Sequence, residues 1–275
     1  MSRFNLKDKV IIITGASSGI GEALAIEAAA KGAKVVLAAR NTEKLELLAN
    51  KLNFDNKKNI AIAVTTDVSN PDDCKKLVET AISKYGTVHV LINNAGISMR
   101  ALFKDVNIEV LEKVMNVNFW GAVYCTKYAL PYLLANKGSV TAISSIAGYK
   151  GLPARTGYSA SKFALQGFFE VLRIENLKKG LHVMIACPGF TASNIRNVAL
   201  TADGSTQGES PRDENKMMSP EKVAKIIIKG IEKRKATITM TLQGKLIILL
   251  NKFLPRIADK MVYNHLAKEA NSPFN

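Results

Sequence analysis

A β-branched run, Val10 to Thr14, passes straight into Thr14-Gly-Ala-Ser-Ser-Gly-Ile-Gly21 and then into an alanine-rich stretch, and this junction restricts the fold more than any other segment. Gly15 permits a tight turn, while Gly19 and Gly21 let helix and strand pack closely and let a diphosphate approach the exposed amides of the helix N-terminus. A glycine-rich turn alone can be a mere tight connection. With a strand before it and a helix after it, the segment reads as a dinucleotide site lined by Gly15, Ser17, Ser18, Gly19, Ile20 and Gly21.

The same alternation continues along the chain. Strands are expected at Val10 to Thr14, Lys34 to Ala38, Ile60 to Thr65, Val88 to Asn93, Val140 to Ser144 and His182 to Ala186, with helices between them such as Gly19 to Lys31 and Leu165 to Lys178. Lys31-Gly32, Tyr85-Gly86, Lys137-Gly138 and Lys179-Gly180 each close a periodic segment just before a strand. Strand, helix, strand at this spacing predicts an α/β fold, a doubly wound parallel sheet of Rossmann type, with a nucleotide crevice at the carboxyl ends of the strands. Residues 1–241 are expected to form one dinucleotide-binding and catalytic domain, and 242–275 a basic amphipathic C-terminal extension. The irregular stretch Thr191 to Met218, about 190–218, reads as a lid, after which Ser219-Pro220-Glu221 starts a new helix.

Several classes fall away. At 47% hydrophobic and 22% charged residues over 275 positions, the chain can bury a core and does not resemble a disordered one. No apolar run approaches the ~18 residues needed to cross a bilayer, and the four apolar residues Val10 to Ile13 are too few for a signal peptide. A cytoplasmic protein is expected, with peripheral contact at a membrane face left open. Cys74, Cys125 and Cys187 are far apart and read as reduced thiols, and His89, His182 and His265 are isolated, so no metal site is expected. The net charge is +15, and from Ser219 onward eleven basic residues stand against four acids. Such a surplus suits phosphate-bearing molecules or an acidic membrane surface. It carries no reader motif or aromatic-interleaved basic patch, and no nucleic-acid partner is expected.

The end of the second strand separates the two nicotinamide dinucleotides. A carboxylate there would bind the adenosine ribose and repel a 2′-phosphate, but this chain has Ala38-Ala39-Arg40-Asn41. The expected cofactor is NADP(H), with Arg40 as a planar, charged fork for the phosphate and Ser17 adding a hydroxyl. Further on, Tyr158-Ser-Ala-Ser-Lys162 puts a phenol and an amine on one helix face. An ammonium there would favour the ionised phenol and prepare Tyr158 to exchange a proton with a carbonyl oxygen. Of the seven tyrosines, this one alone has Lys at plus four.

Thr14 to Gly21, Asn93-Asn-Ala-Gly96, Asn118, Ser145 thirteen residues before Tyr158, Lys162, and Pro188-Gly189 form an ordered set that resembles the short-chain dehydrogenase/reductase superfamily over roughly residues 5 to 240. The resemblance implies Tyr158 as general acid/base, Lys162 lowering its pKa and holding the nicotinamide ribose, Ser145 bonding the substrate oxygen and Asn118 completing a proton relay through water. It also implies that Asp67 and Val68 meet the adenine, that Asn94, Ala95 and Gly96 line the cofactor, and that Pro188 and Gly189 lie along it. Structural roles compete at several of these: Asp67 could cap a loop, Ser145 or Ser144 could be a strand-end hydroxyl, and Asn118 could mark a helix kink. After Pro188-Gly189 the family commonly has an aliphatic residue and then Thr where this chain has Thr191 and Ser193, which leaves open which of the two contacts the carboxamide.

The extension contains Gly244-Lys-Leu-Ile-Ile-Leu-Leu-Asn-Lys-Phe-Leu-Pro255, followed by an amphipathic stretch through Ile257, Met261, Val262 and Leu266. Two readings stand: a helix covering the substrate cleft or a subunit interface, and an interfacial helix with its basic edge on anionic headgroups. Such tails are similar to those near the 11-beta-hydroxysteroid dehydrogenase-like enzymes, which act on lipid-like substrates. The expected activity is NADP(H)-dependent interconversion of a small-molecule carbonyl, lipid-like or otherwise, and a secondary alcohol by a homo-oligomer, dimer or tetramer. The rival is a catalytically idle NADP-binding scaffold that docks a partner or membrane through its tail.

Overall fold

A computed structural model describes residues 4–210, 217–268 and 272–274. Seven parallel strands form one sheet: β1 (Val10–Thr14), β2 (Lys34–Ala39), β3 (Ala61–Thr65), β4 (Val90–Asn93), β5 (Ser139–Ile143), β6 (His182–Cys187) and β7 (Thr237–Thr239), in the order β3-β2-β1-β4-β5-β6-β7. The helices are α1 (Gly19–Ala30), α2 (Thr42–Asn56), α3 (Pro71–Tyr85), α4 (Ile108–Met115), α5 (Gly121–Ala135), α6 (Thr156–Glu175), α7 (Pro220–Glu232), α8 (Leu242–Phe253) and α9 (Pro255–Ala267).

The strands are apolar at nearly every position because both faces of the sheet are covered. Ile11, Ile13, Val35, Leu37, Val90 and Ile92 point to one face and pack under α1, α2 and α7. Their neighbours Val10, Ile12, Val36, Ala38, Leu91 and Val140 point to the other, under α3, α5 and α6. A smaller cluster, Met99, Val106, Val110, Val114 and Leu200, ties α4 to the stretch after β6.

The doubly wound parallel sheet expected from the sequence is present. β7 was not expected: its three residues are too few to carry a period. α6 begins at Thr156, well before Leu165, because Tyr158-Ser-Ala-Ser-Lys162 continues the helix N-terminally. Strand order reverses between β1 and β4, so a crevice opens at their carboxyl ends. Across that point the Thr14 hydroxyl accepts hydrogen bonds from the amides of Asn94 and Ala95, each at 3.0 Å, fixing the two strand ends together.

Candidate active site

The turn after β1 has no room for a side chain at Gly15 or Gly21. Gly15 has φ +66°, and a Cβ there would lie 2.9 Å from the Ala95 Cα; a Cβ on Gly21 would lie 2.1 Å from the Gly15 carbonyl oxygen. Asn94 holds the turn from the β4 side, its Nδ2 donating to the carbonyls of Thr14 (2.9 Å) and Gly15 (3.2 Å). Ser18 occupies the N-cap of α1, yet its side chain makes no cap hydrogen bond, and Ser17 and Ile20 are half-buried beside it. The first amides of α1 therefore lack the usual side-chain acceptor and suit an anionic group.

Arg40 is exposed at the end of β2 and acts electrostatically on Asp67 across the crevice rim. Burial pushes the Asp67 carboxyl up, but the Ser69 hydroxyl and amide, with Arg40 beside them, hold it below the ordinary value. Its Oδ1 accepts from the Ser69 amide (2.9 Å) and hydroxyl (2.7 Å), so Asp67 also caps its own turn. Val68 is buried, its side chain filling the space over Gly121, where a Cβ would come within 2.7 Å.

Asn118 lies in a π-type turn, Asn116–Trp120, between α4 and α5. Its Oδ1 accepts from the Ile97 amide at 2.8 Å, and its Nδ2 donates to the Ile97 carbonyl and the Ser161 hydroxyl, both at 3.0 Å. The extra residue of that turn is what brings a helical side chain back onto the loop after β4. Gly96 sits alongside: a Cβ there would be 3.2 Å from Asn118 Oδ1 and 3.6 Å from Lys162 Nζ.

Tyr158 and Lys162 share a face of α6, with Lys162 Nζ 5.6 Å from the phenol ring centroid. The amine is buried and donates to the Ile143 carbonyl at the end of β5, at 2.9 Å. Burial lowers its pKa to about 8, opposed in part by Cys187. Burial raises the Tyr158 phenol above its ordinary value, while a hydrogen bond with Ser145 and then the charges of Arg155 and Arg196 pull it down. Ser145 and the two guanidiniums thus act on the phenol beside the Lys162 amine that the sequence pairs with it. Arg155 stands three residues before Tyr158, at the N-cap of α6, a signal available in the sequence, whereas Arg196 arrives from the stretch after β6 and carries none. Ser144, the rival hydroxyl, is buried and donates to the Lys162 carbonyl (3.3 Å).

The strand-end pair Pro188-Gly189 is pinned from outside, since a Cβ on Gly189 would lie 2.6 Å from Thr241 Cγ2. Of the two departing positions, Thr191 turns its hydroxyl back to the Gly189 carbonyl (3.2 Å), whereas the Ser193 Cβ stands 3.4 Å from where a Cβ on Gly19 would be. Ser193 thus faces the glycine turn. Of the stretch read as a lid, 211–216 lie outside the described residues; Thr191 and Met218 pair at its base. Among the described residues no group of three or more His, Cys, Asp or Glu is placed to hold a metal ion. His182 is structural: a carbonyl only accepts, so its Nε2 donates to Lys235 (2.9 Å) and its Nδ1 accepts from Ser139 (2.8 Å).

Residues 9–203 match the family model described as short chain dehydrogenase. The "11-beta-hydroxysteroid dehydrogenase-like 2" of Arabidopsis thaliana is 37% identical over 259 residues, 94% of this chain and 82% of that one. Two solved structures have the same fold. A short chain dehydrogenase/reductase from Burkholderia phymatum in complex with NAD has a TM-score of 0.82 at 24% identity, over 92% of this chain and 96% of the other. An alcohol dehydrogenase from Thermococcus sibiricus complexed with 5-hydroxy-NADP has a TM-score of 0.74 at 22% identity, over 85% and 96%. With more than half its length inside the family model and this relative matched almost end to end, the chain belongs to the short-chain dehydrogenase/reductase family of oxidoreductases.

Proposed function

We propose that the protein interconverts a carbonyl compound and a secondary alcohol with NADP(H), running as a reductase where NADPH is abundant. The carrying observation is the convergence of Ser145, Tyr158 and Lys162 next to a glycine turn that admits no side chain at Gly15 or Gly21. The site fits a nicotinamide dinucleotide. The uncapped amides of α1 with Ser17 and Ser18 suit its diphosphate, Arg40 a 2′-phosphate, Asp67 and Val68 the adenine end, and Asn94, Ala95, Gly96, Pro188 and Gly189 the nicotinamide half. When bound, it supplies or takes up the hydride at the substrate carbon.

The chain's own residues handle the proton. Ser145 bonds the substrate oxygen, and Tyr158 gives that oxygen its proton in reduction or takes it in oxidation. Lys162, with its pKa lowered to about 8, sits close enough to neutrality to pass a proton between the ribose side and a water positioned at Asn118. Arg155 and Arg196 make the buried phenol easier to ionise. Tyr158→Phe is expected to keep dinucleotide binding and to lower kcat by at least ~10²-fold, the usual contribution of a positioned acid/base. Binding retained with turnover near wild type would remove the assigned role of Tyr158, whereas wild type that binds the dinucleotide and turns over no carbonyl would make the idle scaffold the better reading.

The phosphate form rests on Arg40, because one similar structure was solved with NAD and the other with 5-hydroxy-NADP. Arg40→Asp is expected to weaken NADPH more than NADH, and an unchanged ratio of the two dissociation constants contradicts the assignment. We further propose self-association through the outer face of α5 and α6, where Tyr132, Phe163, Val171 and Ile174 are exposed. Sedimentation velocity that finds only monomer removes it.

A further inference from the structure

We propose that the α8–α9 hairpin docks this protein on an anionic lipid surface. The proposal starts from the orientation of α8. Its seat on the rest of the protein combines a close apolar contact at Gly244 with polar ones at Asn251. Gly244 is buried, with room for no Cβ because Ile146 Cδ1 would lie 2.5 Å away. Two turns further on, Asn251 donates to the Tyr149 carbonyl (3.1 Å) and accepts from the buried Lys150 amine (2.9 Å). Lys150 also binds Asp259 of α9, so one buried cation clasps both helices. Thr241 closes the start of α8, its hydroxyl accepting from the Gly244 amide at 3.1 Å.

Fixed in this way, α8 turns its apolar side outward. Leu242, Leu246, Leu249 and Phe253 fall within about 60° of one another on the helical wheel, opposite Gly244 and Asn251. They are 73, 57, 56 and 67% exposed. Leu254, Ile257 and Met261 extend the patch onto α9, and a groove of about 500 Å3 between the helices is lined by Leu246, Leu249, Leu250, Phe253, Leu254 and Met261. A contiguous exposed patch of this kind marks an interaction surface.

Charge selects the occupant. Lys245 and Lys252 border the patch along α8, and Arg256 and Lys260 stand on α9, all exposed. The only acid in these two helices is Asp259, already bound by Lys150. A second copy seated on the same patch would bring two sets of these cations to one seam with no carboxylates to meet them. An anionic membrane supplies both components at once: acyl chains for the leucines and the groove, headgroup phosphates and carboxylates for the rim. No helix among the described residues is long and apolar enough to cross a membrane, so the contact is one of lying on the surface.

Flotation of the full chain tests this with vesicles of phosphatidylcholine alone and of phosphatidylcholine mixed with phosphatidylserine. The protein is expected to float with the serine-containing vesicles at low salt and to be released at high salt. Lys245→Ala with Lys252→Ala should lower partitioning about thirtyfold, taking ~1 kcal/mol for each basic residue at the surface. Leu246→Ser with Phe253→Ser should abolish it, with the melting temperature unchanged; were that variant to melt early, the lysine pair still decides. The proposal is overturned if the folded wild type stays off phosphatidylserine vesicles, or if both variants float as it does. It is equally overturned if the apolar variant converts a dimer to monomer in sedimentation and leaves vesicle binding intact. None of these readouts involves turnover, so they stand apart from the proposed chemistry.

Discussion

Helices α7 and α8 are near neighbours in the chain, both amphipathic and both studded with lysine, and they face opposite ways. α7 buries Val223, Ala224, Ile227, Ile228 and Ile231 against α1 and the sheet and leaves Lys222 and Lys225 outside. α8 buries Gly244 and leaves Leu242, Leu246, Leu249 and Phe253 outside. The period of a helical pattern defines a face; what that face meets is decided by the surface available. α7 has a bare sheet to cover, and α8 arrives when that sheet is already full.

The contrast can be tested by substitution and by pH. Ile227→Ala, at a fully buried position of α7, should cost about 3 kcal/mol in urea unfolding; a loss as small as that of a surface change would erase the distinction. Acid comes next. Burial holds the His182 pKa at about 4, and its bonded imidazole fixes the turn after α7 through Lys235. The folded state therefore binds fewer protons than the unfolded one between about pH 4 and 6.5. Stability should fall as pH drops through that window, by up to about 3 kcal/mol, and His182→Asn should flatten part of the slope in melts run across it. Lys150→Ala, which opens the clasp beneath α8 and α9, should cost about 1 kcal/mol because Asp259 is largely exposed. Its clearest mark should be faster amide exchange confined to the two helices. Leu246→Ser should change stability by no more than about 0.5 kcal/mol; a large loss would mean that α8 is core after all.

What could be read from the residues alone follows the range of the interaction. The strands, the glycine turn and the pairing of Tyr158 with Lys162 on one helix face are set by neighbours within a few positions, and β1 to β6 lie within two residues of their expected bounds. β7 pairs through three residues, too few to display alternation. The charge of Arg196 acts on the phenol because the chain after β6 folds back, which no local pattern encodes. Asn118 could be read as a kink or as a site residue; it lies in a π-type turn, and that kink is how it reaches Ile97. The outward pose of α8 depends on Lys150, about a hundred positions away in the chain.

The surplus residue in the turn at Asn116–Trp120 bears on how this chain can be edited. Deleting Val117 would splice α4 and α5 into one unbroken rod and swing whatever precedes the cut by about 100°. Such a rod could still be helical and still cover the sheet, while the carboxamide of Asn118 lost its hold on the loop below. A change in length by one position, more than any swap of side chain, is the smallest cut that would leave the scaffold standing and part Asn118 from Ile97 and Ser161.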